Sequence, residues 1–490
     1  MCSRHNLGYT LGATMLLNSS ALCLRIPMGT KKHFLLSRNV SGKNNTIEVQ
    51  PKKRTFRLLT NNFLKKSTTS PSHCDILVIG GGIVGSSVAY WLKRRAREGL
   101  NVVVVEKDCS YTESSTVLSV GGLRQQFSLT ENIEMSLFGA EFIRNVRNYF
   151  CRVDLKFNPH GYLILSTEDG SETMRRNSRL QNELGARNEL LTAERLNKKF
   201  PWINSHGIAL GCHGLEKEGW FDPWVLLTGL KTQSRQYGAH FMAGELIDFE
   251  FRKESNVHLE DICQKGLYSS LDKAVIRTQD GKIRTIKFAI CVIAAGSNSG
   301  KVARLANIGT GKGILSIGLP VEPRKRYVYV INSGANNIPA LGTPLTIDPN
   351  GTYFRCDTLS GNYICGRSPS SELEPKVDSL NVDIKYFETN VWPSLANRVK
   401  GFESVKICSS WAGFYDYNVY DENGIIGQHP YYKNLYIAAG FSGHGIQQAP
   451  AVGRAISELI IDGQFRTIDL TRLGFDRLIT QKPMLERIII

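Results

Sequence analysis

A glycine-rich turn between a strand and a helix is the feature that most narrows the folds open to this chain. Asp75-Ile76-Leu77-Val78-Ile79 is a short apolar run, the profile of a parallel strand buried on both faces. It leads into Gly80-Gly81-Gly82-Ile83-Val84-Gly85, a G-x-G-x-x-G, and then into Ser86–Arg95, which reads as a helix with Val88, Trp91 and Leu92 on one face. Asn101–Val105 is a second apolar strand ending at Glu106, 21 residues past Gly85. Each part has a job in binding a dinucleotide. Gly80 permits the tight turn, Gly82 lets backbone approach a pyrophosphate, and Gly85 lets the helix pack on the strand. The helix start, at Ile83 and Val84, offers unpaired N–H groups and a positive dipole end to phosphate. Glu106 suits the ribose hydroxyls and would repel a 2′-phosphate, which argues against NADP. A G-x-G-x-x-G alone is weak evidence; its agreement with strand, helix, second strand and terminal acid makes it strong.

Other segments extend the same site. After Glu106 and Lys107 comes a polar, small-residue loop containing Ser114, Ser115 and Thr116, followed by Gly121, Gly122 and Arg124. Far downstream, the apolar strand Ala289–Ala294 runs into Ala295 and Gly296. Later still, Leu435–Ala439 enters Gly440-Phe441-Ser442-Gly443-His444-Gly445-Ile446, and Gln447–Ile461 reads as a helix. Three strand ends of this kind on one chain imply a large ligand along one sheet edge.

Charge and cysteine usage bound the rest. Residues 1–74 hold twelve Lys/Arg against one acid, Glu48, so +11 of the formal +16 lies there. A basic, hydroxyl-bearing, acid-poor N-terminus is the composition of a mitochondrial transit peptide; a basic tail, or a secretory signal in Leu11–Leu24, is the alternative. Because the excess lies in that segment rather than on folded surface, no nucleic-acid partner is expected. No apolar run reaches membrane-spanning length. The eleven cysteines include no C-x-x-C pair, which points to reduced thiols and no metal site.

Gly80–Gly85, Glu106, Ser115-Thr116, Gly121-Gly122, Ala294-Ala295-Gly296 and Gly440–Gly445 together resemble the D-amino-acid oxidase superfamily of FAD-dependent oxidoreductases. The subgroup resembled is that of sarcosine oxidase, dimethylglycine dehydrogenase and glycine oxidase, over about Asp75 to Leu470. Gly219–Trp224, Leu319–Tyr329 and Trp411–Tyr417 are most similar to the branch associated with assembly of mitochondrial respiratory complex I. The resemblance implies a mixed α/β (α+β) fold: a Rossmann-like FAD-binding domain built from discontinuous segments, with an antiparallel-sheet substrate domain. The expected layout is a transit and basic segment over 1–70, FAD-binding segments at 71–150, 205–310 and 405–470, substrate segments at 151–204 and 311–404, and a tail at 471–490. By position it implies Gly80, Gly82 and Gly85 at the pyrophosphate, Glu106 and Lys107 at the ribose end, and Ser114, Ser115 and Thr116 at the diphosphate. Leu246 would meet adenine, while Gly121, Gly122, Ala295, Gly296 and Gly440–Ile446 would border the rest of the cofactor. Donors at the flavin's electron-accepting edge stabilise the charge of its reduced form.

Departures from the pattern bear on chemistry. Phe414 and Leu118 stand where relatives carry the cysteine or histidine that bonds flavin covalently, so the FAD is expected to be non-covalent. Gln447 replaces a lysine, and Tyr415 an arginine, that hold a substrate carboxylate in the group. Arg124, Tyr353 and Tyr415 remain as catalytic candidates; a phosphate-pairing arginine and packing tyrosines are the plainer alternatives. Tyr162–Ser166, Tyr327–Ile331, Tyr353–Arg355 and Tyr363–Cys365 read as strands of the substrate sheet. Pro369–Pro375 reads as a surface loop, and Glu322, Arg324, Lys325 and Arg326 as a solvated charge cluster or partner surface. Two functions follow from the resemblance: oxidation of a small secondary or tertiary amine, or a non-catalytic FAD-binding assembly factor. Complex I subunits or assembly intermediates would be partners, on the matrix side of the mitochondrion with peripheral contact to the inner membrane.

Overall fold

A computed structural model describes residues 71–150, 153–254, 268–335, 338–357 and 361–487. The transit and basic segment expected over 1–70 lies outside the described residues.

Strand β1 (His73–Ile79) pairs in parallel with β2 (Val102–Glu106) on one side and with β10 (Ile283–Ile293) on the other. Val102, Val103, Val104 and Val105 are all buried, as a strand covered on both faces requires. β17 (Leu435–Ala439) continues the parallel set beyond β10, and β16 (Ile425–Gln428) closes that edge antiparallel. The first residues of β8 (His240–Glu254) pair in parallel with β2. From Gly244 onward it turns to pair with β9 (Tyr268–Thr278), which returns to the start of β10. Three far-separated parts of the chain thus meet in one seven-stranded sheet.

Helices cover both faces. Val88, Ala89 and Leu92 of helix Ile83–Ala96 pack with Ala451, Val452, Ala455 and Ile456 of helix Gly445–Asp462. The two helices touch at glycine: a Cβ on Gly453 would stand 2.3 Å from Ser87 Oγ. Tyr90 and Trp91 face the other way, into a cluster with Phe142, Phe150, Leu226 and Leu230.

The second sheet has eight strands: β15 (Val405–Asn418), β11 (Val321–Ser333), β14 (Tyr363–Gly366), β13 (Tyr353–Cys356), β12 (Leu345–Ile347), β4 (Tyr162–Ser166), β6 (Leu210–Gly214) and β5 (Asn188–Thr192). All four runs expected in the substrate sheet are there. The sheet is mixed rather than purely antiparallel, because β12 pairs in parallel with β4, to which no hairpin joins it. Strands at 210–214 and 405–418 join this sheet although they fall in stretches assigned from sequence to the FAD-binding domain. For β15 the reason is its long ladder with β11, from Val321↔Asn418 to Ser333↔Val405. A small ribbon, β3 (Gly122–Leu123) with β7 (Gly219–Trp220), lies between the first two FAD segments. The segment after 470 is not a loose tail: Leu473, Phe475, Leu478 and Met484 are buried in the core. No described helix is long and apolar enough to cross a membrane.

Candidate functional site

The entrance is built by close backbone approach. Gly80 takes φ +102°, its N–H donates to Val105 O at 2.9 Å, and a Cβ there would sit 2.3 Å from Ala294 O. A Cβ on Gly85 would sit 1.9 Å from Gly80 O. Both glycines are therefore demanded by the protein itself. Gly82 is not: its φ of −63° suits any residue, and an added Cβ would meet only Thr116 Oγ1, at 3.3 Å. What glycine leaves open there is room for a ligand.

Glu106 clamps the turn. Its Oε2 accepts the Gly81 N–H at 2.7 Å and its Oε1 the Asp108 N–H at 2.9 Å. Burial raises its pKa, while these N–H donors and Lys231 pull it down. The following loop folds on Asp108, whose carboxylate accepts from the backbone and hydroxyl groups of Ser110 and Thr112 and is held near pKa 2. Tyr111 OH then donates to Gly81 O at 3.0 Å, and Thr116 Oγ1 accepts the Ile83 N–H at 3.1 Å. Three bonds carry the loop to the second sheet: Ser115 Oγ to Phe414 O, Trp411 Nε1 to Leu118 O at 2.9 Å and Arg355 Nη2 to Val120 O at 3.1 Å.

The opposite end centres on Arg124 and the 440–447 turn. Asp416 on β15 holds that turn: its Oδ2 accepts the N–H groups of Gly440 at 2.8 Å and Phe441 at 3.2 Å. Burial raises the Asp416 carboxyl to a pKa of about 6 against the pull of those two donors. Ser442 sits at φ +48° with its hydroxyl accepting the Asn418 N–H. Arg124 is 5% exposed; its N–H donates to Gln447 Oε1 at 2.7 Å and its Nη2 lies 3.1 Å from His444 Nε2. A guanidinium only donates, so His444 Nε2 accepts and the imidazole is neutral. Burial, then the Arg124 charge, lower its pKa to about 3.

A single cavity of about 1100 Å³ joins the two ends. Of the residues expected at the cofactor, Gly80, Gly82, Ile83, Val84, Glu106, Lys107, Ser114, Ser115, Thr116, Gly122, Leu246, Ala295, Gly296 and Phe441–Ile446 line it. Gly85, Gly121 and Gly440 are not among its lining residues. They act on backbone instead: Gly85 as above, Gly121 with φ +73° against Phe221 O, and Gly440 as donor to Asp416. Arg124, Tyr353 and Tyr415, the catalytic candidates, all line the cavity. Leu118 and Phe414 line it too, and neither side chain can form a covalent flavin link.

The reading of the charge cluster on β11 as solvated holds for the exposed Glu322 and is corrected for Lys325 and Arg326. Lys325 is 4% exposed, and Arg326 lines the cavity with its guanidinium 4.7 Å from the Tyr415 ring. Strand alternation sends these side chains to opposite faces, both covered. Glu374, in the stretch read as a surface loop, turns in to pair with Arg326 at 2.5 Å, and Pro369 lines the cavity. Sequence reasoning also missed Asp416, Tyr162 and Arg367, which line the cavity. Only Asp416, an acid between two tyrosines on a strand, left a trace that could have been followed.

The residues fit FAD. A long cavity begins at a glycine turn with unfilled space over Gly82, passes the half-buried Glu106 and ends beside a buried cation and a helix start. The family model described as FAD dependent oxidoreductase (DAO) matches residues 75–459. A curated relative from Drosophila melanogaster, "FAD-dependent oxidoreductase domain-containing protein 1 homolog", is 57% identical over 418 residues, covering 85% of this chain and 80% of its own. Monomeric sarcosine oxidase from a Bacillus strain is 22% identical over 411 residues, covering 80% of this chain and 93% of its own. Among solved structures, L-proline dehydrogenase from P. horikoshii superposes with a TM-score of 0.68 at 25% identity, covering 85% of this chain and all of that one. The chain belongs to the DAO family of FAD-dependent oxidoreductases, and its cofactor is FAD.

Proposed function

We propose that this protein oxidises a small secondary or tertiary amine in the mitochondrial matrix and thereby, or through its folded surface, supports assembly of respiratory complex I. The observation that carries the catalytic part is the continuity of the cavity, from the glycine turn at Gly80 to a wall formed by Tyr353, Tyr415 and Arg326 of the second sheet. Bound FAD supplies the acceptor for the two electrons that leave the amine. Gly82 and the helix start at Val84 would hold its pyrophosphate, with the Ile83 N–H kept by Thr116, and Glu106 would hold its ribose, Leu246 its adenine, and Gly122, Arg124 and His444–Ile446 its ring.

The chain's own residues define what amine suits the site. Arg124, Arg326 and Arg367 line the cavity, and nearby cations disfavour an ammonium, so the amine binds neutral. Asp416 is occupied by the N–H groups of Gly440 and Phe441, and His444 by Arg124. Neither is free as a base, and a neutral amine needs none. Curated relatives at 22–23% identity include sarcosine oxidase, 4-methylaminobutanoate oxidase and dimethylglycine dehydrogenase, names that favour N-methylated amino acids as the class to try. The test is anaerobic mixing of the purified yellow protein with a panel of such compounds. Bleaching of the flavin band by one of them supports the reading; bleaching by dithionite alone defeats it.

Gln447 and Tyr415 favour a second reading, a non-catalytic FAD-binding assembly factor. They replace the carboxylate partners of the group and are engaged within the protein, with Arg124 and Arg326. Cells lacking the protein separate the two. An FAD-retaining variant that no amine bleaches restores complex I under the second reading and fails to under the first. The location rests on the basic, acid-poor N-terminus and on the resemblance. Sequencing of the protein from mitochondria should find a start beyond Met1, between about residues 25 and 70; an intact Met1 counts against it.

A further inference from the structure

The C-terminal end of the described chain doubles back onto the start of helix Thr130–Arg144. Helix Thr130–Arg144 has no side-chain cap from its N-cap residue. Its cap comes from Glu486, more than three hundred residues away: Oε2 accepts the N–H groups of Ser128 at 2.6 Å and Leu129 at 3.2 Å, and the Ser128 hydroxyl donates to the same oxygen. Neighbouring anchors hold the segment down. The Met484 N–H donates to Asp421 Oδ2 at 3.0 Å, and the Arg487 N–H to Ser128 Oγ at 2.7 Å.

Asn132 connects this cap to the active end. Its Nδ2 donates to Glu486 Oε1 at 2.5 Å, and its Oδ1 accepts from Gln448 Nε2 at 3.0 Å. Gln448 sits in the first turn of helix Gly445–Asp462, beside Gln447, whose Oε1 accepts the Arg124 N–H. The two helices have no slack where they cross, since a Cβ on Gly139 would stand 2.1 Å from Gln447 O. Glu486 is also, with Glu218, a carboxylate whose field acts on the buried Arg124.

We propose that Glu486 is a positioning residue for the flavin edge: acting through Asn132 and Gln448 it fixes the first turn of helix Gly445–Asp462, and its charge offsets that of Arg124. This rests on the reading of the cavity as the FAD site. A carboxylate that offsets Arg124 opposes the build-up of negative charge on reduction, so neutralising it favours reduced over oxidised flavin.

Three variants test it. Glu486→Gln keeps the shape and should retain FAD, with roughly a tenfold shift towards the reduced form; for a two-electron couple that is about 30 mV upward. Glu486→Ala should shift the potential likewise, weaken FAD about tenfold and speed hydrogen exchange over 442–449, leaving 168–183 unchanged. Glu486→Asp should bring the potential back toward wild type. If Glu486→Gln and Glu486→Ala lower only the melting temperature, with wild-type potential and wild-type exchange over 442–449, Glu486 is merely a helix cap and the proposal falls. A wild-type protein that never binds flavin defeats the FAD reading instead; exchange over 442–449 in the apoprotein still decides whether Glu486 holds that turn.

Discussion

The two ends of the cavity are made in opposite ways. At the pyrophosphate end, residues 75–106 supply strand, turn, helix and acid in one stretch, and the decisive contacts are backbone to backbone: Gly80 against Ala294, Gly85 against Gly80. At the flavin end, Arg124, Asp416, the His444–Gln447 turn and Glu486 come from four separated places and are tied together through side chains in a buried polar network. The first end is rigid because sterics admit one residue type. The second is held by hydrogen bonds whose partners are replaceable, and it is tuned by charge. Substitutions of the close-packed glycines at the first end should therefore act as all-or-none events, and those at the second end as graded, pH-dependent ones.

The largest effect expected separates two glycines of the same turn. Gly85→Ala forces a Cβ to 1.9 Å from Gly80 O, a backbone clash with nothing flexible to yield. It should destabilise the fold by more than about 4 kcal/mol, the range of severe overpacking, and leave little soluble protein. In Gly82→Glu the added Cβ meets only Thr116 Oγ1, and the backbone keeps an ordinary φ. Its apoprotein should melt near wild type and take up no FAD. Chemical denaturation and flavin content measured together check both; a yellow Gly82→Glu protein would remove the pyrophosphate from this turn.

Next comes Asp416→Ala at the other end. It strands the buried N–H groups of Gly440 and Phe441, at about 1–3 kcal/mol each, so a loss of roughly 2–6 kcal/mol is expected, graded rather than abolishing. Asp416→Asn keeps an acceptor and should recover most of it. Equal loss in both variants would mean that charge, not hydrogen bonding, holds the turn.

This contrast also explains what the sequence made legible. The entrance was readable because its determinants are neighbours and glycine is the residue whose absence of a side chain is itself the signal. The substrate strands were readable from alternation. Arg326 was misread as solvated because a charge on a strand shows its face only once the covering partner is known, here Glu374 and the Tyr415 ring. Asp416 and Glu486 escaped since their partners lie 24 and 358 residues away, and nothing local in either residue announces such a bond. The segment after 470 looked like a tail for the same reason.

The flavin end should also respond to acid. His444 is neutral in the fold, its pKa lowered to about 3 from an ordinary 6.5. Its contribution to stability is complete above about pH 6.5 and is lost as pH falls towards 3, by at most roughly 1.4 kcal/mol per pH unit. Asp416 works the other way. Its pKa is raised to about 6, so the fold binds its proton more readily than the unfolded chain, and stability declines as pH rises from about 4 to 6. The two slopes oppose one another between pH 4 and 6. Relative to wild type, His444→Gln should gain stability as the solution is acidified, and Asp416→Asn should lose it. Urea midpoints at pH 4.5, 5.5 and 7 read this directly, and parallel lines for all three proteins would show that neither group titrates as its surroundings require.

The smallest effect expected lies beside one of the largest, at Lys107. It follows Glu106 in the chain and lines the same cavity, so proximity alone would rank the two together. Their surroundings do not. Glu106 is fixed by the N–H groups of Gly81 and Asp108, and on the proposed reading its carboxylate would meet the ribose, so Glu106→Ala should weaken FAD by roughly one to two orders of magnitude at about 1.5–3 kcal/mol per charge-assisted bond. The Lys107 side chain is 66% exposed, and its partner Glu245, 3.1 Å away, is 40% exposed. Water and salt screen that pair, and Glu245 keeps Arg277 at 3.8 Å when Lys107 is gone. Exposed pairs of this kind contribute about 0–1 kcal/mol, so Lys107→Ala should change the FAD dissociation constant less than about threefold and the melting temperature hardly at all. Titration of the apoprotein at low and high salt checks it. A tenfold loss at low salt that fades at high salt would mean that Lys107 reaches the cofactor's phosphates electrostatically, and the pyrophosphate end would then share the charge tuning that otherwise distinguishes the flavin end.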